Sequence, residues 1–140
     1  MNTFVGGDLH TRGSAEAEGR VVVAGDMRVE GKSFIVGIAI GSDVRPNPGE
    51  LMLQVGGDVT IGPGYSLHIA DLAVDGGQAQ VGGSVSGTIS QGSATLTTGM
   101  GAAAALAPYE DMLTSLQGRL NTKNTGTSGH LGLLRCPDGV

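Results

Sequence analysis

The sequence predicts a mainly β chain wound as a parallel β-solenoid, with one amphipathic helix packed along its side. Three observations predict it: a recurring short phrase, period-2 alternation around that phrase, and a glycine-rich, aromatic-poor composition. The phrase is an aliphatic residue, two small residues, an acid or Ser, and another aliphatic. It reads Val5-Gly6-Gly7-Asp8-Leu9, Val23-Ala24-Gly25-Asp26-Met27, Ile40-Gly41-Ser42-Asp43-Val44, Val55-Gly56-Gly57-Asp58-Val59 and Val81-Gly82-Gly83-Ser84-Val85. A degenerate copy, one small residue short, is Ile69-Ala70-Asp71-Leu72. The acid or Ser falls at 8, 26, 43, 58, 71 and 84, with steps that shorten from 18 to 13. A unit this short cannot bury a core alone, so its coils must stack. The shrinking steps predict coils that taper.

Around each marker the chain alternates in polarity. Val5, Val23, Ile40, Val55 and Val81 stand three before it; Leu9, Met27, Val44, Val59, Leu72 and Val85 stand one after. These two sets are the expected inward columns. Alternation on both sides of a Gly-rich step predicts two short strands joined by a tight corner. The corner glycines are expected to take positive φ, and the Asp to accept backbone N–H groups at its own corner, as in Asx-turns. His10, Arg28, Arg45, Thr60, Ala73 and Ser86 form one expected outward column, and Phe4, Val22, Ala39, Gln54, His68 and Gln80 the other.

Composition agrees. Gly supplies 26 of 140 residues, far above the usual ~7 %, without the three-residue period of collagen. Aromatics are 3 % and Trp is absent, as suits a narrow interior filled by β-branched residues. A net charge of −5 argues against nucleic-acid binding, which needs a basic footprint. No apolar run reaches the ~18 residues of a membrane span, and Met1-Asn2-Thr3-Phe4 does not read as a signal peptide. One cysteine, Cys136, allows no intrachain disulfide.

The chain is expected to be a single domain over 1–140, cut at both ends: repeats over 1–98, a helix over 104–122, then a loop and terminal strand over 125–140. Pro46-Asn47-Pro48-Gly49 is a turn cluster. In the helix, Pro108 is expected in the first turn, with Glu110 and Asp111 near the positive end of the macrodipole and Arg119 and Lys123 near the other. Tyr109, Met112, Leu113, Leu116 and Leu120 make one apolar stripe. That stripe is expected to cover a flank of the solenoid.

No catalytic, cofactor-binding or metal-binding residue is singled out. Asp8, Asp26, Asp43 and Asp58 would form a column able in principle to hold Ca²⁺. Each coil offers only one carboxylate, so turn stabilisation is the expected role. His10, His68 and His130 are scattered and show no metal spacing. Gly82-Gly83-Ser84-Val85-Ser86-Gly87 is a repeat corner rather than a nucleophile elbow, and Gly31-Lys32-Ser33 lacks the first glycine of a phosphate loop at the required spacing. A non-enzymatic role is expected. The outward columns are irregular and partly charged, unlike the Thr arrays of ice-binding surfaces.

Phe4-Val5-Gly6-Gly7-Asp8-Leu9, the segment Glu18 to Asp26, and Gly31-Lys32-Ser33-Phe34-Ile35-Val36-Gly37 resemble the opening of the choice-of-anchor A domain. The likeness covers about residues 3–100 and is most specific from Glu18 to Asp26. It implies an ice-binding-like adhesive β-solenoid with one long helix along its side, found in bacterial surface and secreted proteins. The signal peptide, further strands after the helix and the anchor that it implies are not visible here. The expected function is adhesion or display on an extracellular polymer or protein surface, secreted or at the cell surface, with no cofactor and no membrane span. A self-polymerising scaffold of the bactofilin type is the alternative; ice binding is a lesser one.

Overall fold

Thirteen short strands and one helix follow one another through a computed structural model that describes residues 3–37, 47–69 and 77–124. The strands are β1 (Thr3–Val5), β2 (Leu9–Arg12), β3 (Ala15–Ala17), β4 (Val21–Val23), β5 (Met27–Glu30), β6 (Ser33–Val36), β7 (Leu51–Val55), β8 (Val59–Ile61), β9 (Ser66–Ile69), β10 (Gln78–Val81), β11 (Val85–Ser86), β12 (Ile89–Ser90) and β13 (Thr95–Thr97); α1 is Ala102–Asn124. Every third strand returns to the same sheet. The first sheet is ordered β1-β4-β7-β10-β13, the second β11-β8-β5-β2 and the third β12-β9-β6-β3. All ten pairings are parallel. The chain is therefore a parallel β-solenoid, and each coil has three strands rather than two.

The inward columns are those expected, with fewer rungs. Val5 pairs with Val23, Val23 with Val55, and Val55 with Val81. On the second sheet Leu9 pairs with Met27, Met27 with Val59, and Val59 with Val85. These neighbours pair directly, and the expected rungs Ile40, Val44 and Leu72 are not among them. Residues 38–46 and 70–76, which hold those three together with Arg45 and Ala73, lie outside the described residues. Successive markers in the stack are thus 18, 32 and 26 residues apart, so their spacing does not shrink along the stack as the sequence copies suggested. The third sheet closes the interior with Phe34, Leu67 and Ile89 in one column and Ala17, Val36 and Ile69 in another. Val23, Val29, Val36, Leu53, Val55, Leu67 and Ile69 are fully buried.

The outer face of the first sheet carries Phe4, Val22, Gln54, Gln80 and Thr97 in one column. His68, expected here, stands instead on the third sheet between Ile35 and Ser90; Ala39 lies outside the described residues. Val22 and Gln54 face outward yet are buried, because the start of α1 lies over them. Gln54 Nε2 donates to the Ala105 carbonyl at 2.8 Å. The Tyr109 ring stacks on Phe4 with centroids 5.0 Å apart and planes 11° from parallel.

Those contacts differ from the expected ones. The helix begins at Ala102, so its first turn carries no acid and Pro108 sits inside it. Pro108 has no N–H to give the Ala104 carbonyl. The small residues Ala102 to Ala105 bring the backbone close to the sheet, and Ala105 is fully buried. Contacts divide the chain into two units, Met1–Tyr109 and Glu110–Val140. In the second, Met112 and Leu113 are exposed rather than covered. The side chains of Leu116 and Leu120 lie outside the described residues, as does the expected terminal strand His130 to Arg135.

The register makes a direct prediction. Val55→Ala removes two methyl groups from a closed interior and should cost about 1–3 kcal/mol. Thr60→Ala, on the outer face, should cost about 0.5 kcal/mol or less. Urea midpoints read this out; equal midpoints for the two variants would contradict the register.

Candidate functional site

Each marker Asp binds the coil that follows it, not its own corner. The Asp26 N–H donates to Asp8 Oδ1 at 2.8 Å, the Asp58 N–H to Asp26 Oδ1 at 2.8 Å, and the Ser84 N–H to Asp58 Oδ1 at 2.6 Å. The Ser84 hydroxyl adds a fourth bond to Asp58 Oδ1 at 3.0 Å. This carboxylate–amide ladder runs up the corner between the first and second sheets. Ser84 holds the last marker position, where a hydroxyl can donate to the Asp below.

The ladder explains the paired glycines better than backbone freedom does. Among the described residues the positive-φ glycines are Gly13, Gly37, Gly49, Gly64, Gly87, Gly92, Gly99 and Gly101, and none of these belongs to a marker phrase. A Cβ on Gly57 would instead overlap Asp26 Oδ1, and one on Gly83 would overlap Asp58 Oδ1. Gly7, in the first coil, has nothing within 4 Å of such a Cβ. The expectation of positive φ at these corners is therefore replaced by one of close approach.

Every Asp Oδ1 in the ladder is thus engaged by an N–H. Among the described residues no group of three or more His, Cys, Asp or Glu side chains is arranged to hold a metal. The Ser84 N–H, then its hydroxyl, hold the Asp58 carboxyl below its ordinary value, against some desolvation.

Beside the ladder lies the outer face of the second sheet. His10 pairs in register with Arg28, Arg28 with Thr60, and Thr60 with Ser86. The expected Arg45 and Ala73 lie outside the described residues. Arg12 pairs with Glu30 two positions along. Glu30 ties the face together: its Oε2 lies 2.8 Å from His10 Nε2, and its Oε1 accepts from Arg28 Nε at 2.7 Å. The His10 hydrogen bond chiefly, then the charges of Arg28, His10 and Arg12, hold the Glu30 carboxyl below its ordinary value against a desolvation that raises it.

Open grooves flank this column. One is lined by Asp8, Asp26, Asp58, His10, Arg28 and Thr60. The other is lined by Arg12, Arg28, Glu30, Thr60, Pro63 and Tyr65, with Ile61 and Gly62 at its base. Arg12, Glu30 and Tyr65 were not among the sequence candidates. Arg12 and Glu30 stand four after Asp8 and Asp26, so extending the outward column by one alternation finds them. His68 lies away from this face, 2.9 Å from Ser66 Oγ on the same strand; His130 and Cys136 lie outside the described residues.

Two outcomes test the ladder. Gly57→Ala should cost about 1–3 kcal/mol through overpacking, while Gly7→Ala should be within about 0.5 kcal/mol of the parent. Combining Gly57→Ala with Asp26→Ala should cost less than the sum of the single changes, because the clash partner is gone. Stability should also depend on acid. Asp58 and Glu30 are depressed from 3.8 and 4.5, so their contribution is complete above those values and lost as pH falls through the lower folded ones. Asp58→Asn should shrink the fall in melting temperature between about pH 5 and pH 2; an unchanged fall would remove Asp58 from the ladder's energetics.

A family model described as an ice-binding-like adhesive domain matches residues 2–132. No curated protein and no solved structure matches the chain. The match covers the stacked sheets, the ladder and the helix, in agreement with the resemblance carried by the opening repeats. The chain belongs to the ice-binding-like adhesive domain family.

Proposed function

We propose that this domain is a non-enzymatic adhesion or display module of a bacterial surface or secreted protein, and that the outer face of the second sheet makes the contact. The carrying observation is that face itself: His10, Arg28, Thr60 and Ser86 are held in cross-coil register by the ladder beside them. A rigid row of exposed polar side chains suits many weak contacts to an extended polymer or protein surface, which add through multivalency. The first sheet serves this purpose less well, because α1 lies over Gln54. The start of α1, laid over the first sheet at Ala105 and Tyr109, also favours an adhesive module over a self-polymerising scaffold. The mixed charges of the face favour polymer or protein over ice. Among the described residues no helix is long and apolar enough to cross a membrane.

The test is solid-phase binding to a panel of extracellular polysaccharides and proteins. The parent should be retained on at least one, and Arg28→Ala with Thr60→Ala should weaken that retention about tenfold or more at nearly unchanged stability. Retention that ignores both changes would move the contact to another face. Filament growth in sedimentation would favour the scaffold instead, and inhibition of ice recrystallisation would favour the ice reading.

A further inference from the structure

The geometry points to a carboxylate-bearing polysaccharide, one rich in uronic acids, as the occupant of the groove on the Tyr65 side of the second sheet; this inference rests on the adhesive reading above. The groove has two unlike walls. One holds the guanidinium groups of Arg12 and Arg28 against a single carboxylate, Glu30, which His10 also shares. In a chain of net charge −5, this is a local excess of positive charge. Arg28 uses Nε for Glu30 and has a side chain 61 % exposed. Its terminal N–H groups can therefore meet a second carboxylate in the planar, bidentate manner that guanidinium favours. Glu30 fixes the plane in which they are offered.

The other wall is Pro63 and Tyr65. The Tyr65 ring lies against Gly62, so closely that a Cβ there would press on the ring. It is a flat platform with a polar edge, suited to the apolar face of a sugar ring with hydroxyls at its rim. An aromatic ring and a pair of arginines lining one groove select a sugar that also bears a carboxylate. The residues come from three successive coils, so the groove crosses about 10 Å at ordinary strand spacing. The ladder carboxylates Asp26 and Asp58 line the opposite groove. They repel an anionic polymer from that side and leave the Tyr65 side as its track. A protein partner is less suited, since among the described residues of the stacked strands the exposed large hydrophobic residue is Phe4, which stands on the first sheet.

Calorimetric titration of the full chain with oligogalacturonate tests this, with neutral dextran oligomers and polyphosphate of matched length as comparators. Oligogalacturonate should bind, weaken with salt, and lose about tenfold or more in affinity in Arg12→Gln and Arg28→Gln. Tyr65→Leu should lose affinity for the sugar at unchanged salt dependence. Both arginine changes are on exposed side chains, so their circular dichroism should match the parent. Failure of oligogalacturonate to bind, equal binding of dextran, tighter binding of polyphosphate, or indifference to the arginine changes would each overturn the inference. The adhesive reading would survive those results if Arg28→Ala with Thr60→Ala still abolished retention on another surface.

Discussion

One hydrogen bond, repeated, governs this domain: a marker carboxylate accepts the N–H of the marker in the next coil, at 2.6 to 2.8 Å. The bond demands that the residue before each donating marker have no side chain, which is why Gly25, Gly57 and Gly83 stand there. It also fixes register. A one-residue slip would turn Val23 and Val55 outward and bring Val22 and Gln54 in. The thin interior could not absorb that change, since it is one layer of aliphatic side chains between three sheets. Ladder and core therefore enforce each other.

Much of this was legible in the sequence. The marker phrase located the corners, and period-2 alternation identified Val5, Val23, Val55 and Val81, with Leu9, Met27, Val59 and Val85, as inward. Of the copies at 40–44 and 69–72, Ile69 stands on the third sheet and the rest lie outside the described residues, while Val23 pairs directly with Val55 and Val55 with Val81. Spacing alone cannot distinguish a rung from an excursion, because register is decided by bonds between coils. The third strand of each coil was harder to see: Ala15–Ala17 and Ser66–Ile69 carry no marker. Glycine hid its purpose as well. Positive φ and close approach both select Gly, and only geometry separates them. In the helix, Tyr109 of the expected stripe meets the sheet, and Ala105, outside the stripe, meets it too. The run of alanines reads as a flexible spacer until it is seen to let the helix approach.

The three outer faces have different characters. The first carries Gln54 under Ala105 and Phe4 under Tyr109. The third presents Glu16, Ile35, His68 and Ser90, a mixture without an evident theme. The second alone joins a charged column to an aromatic wall. Its electrostatics are asymmetric, with ladder carboxylates along one side and arginines toward the other. That asymmetry follows from the fold: acids must stand at the corner to join the coils, so cations can accumulate only further along the strand.

The unequal coils carry a consequence for how such a domain can change. Marker-to-marker separation runs from 18 to 32 residues while the joining bond stays at 2.8 Å. Closing a longer loop costs entropy only logarithmically, so growth over that range amounts to roughly half a kcal/mol. A coil can thus accept a dozen additional residues between its third strand and its return to the first sheet with little thermodynamic resistance. The corner beside the ladder permits no such growth. The domain is in effect a fixed spine with an extensible margin, and diversity among adhesive domains built this way should gather at that margin.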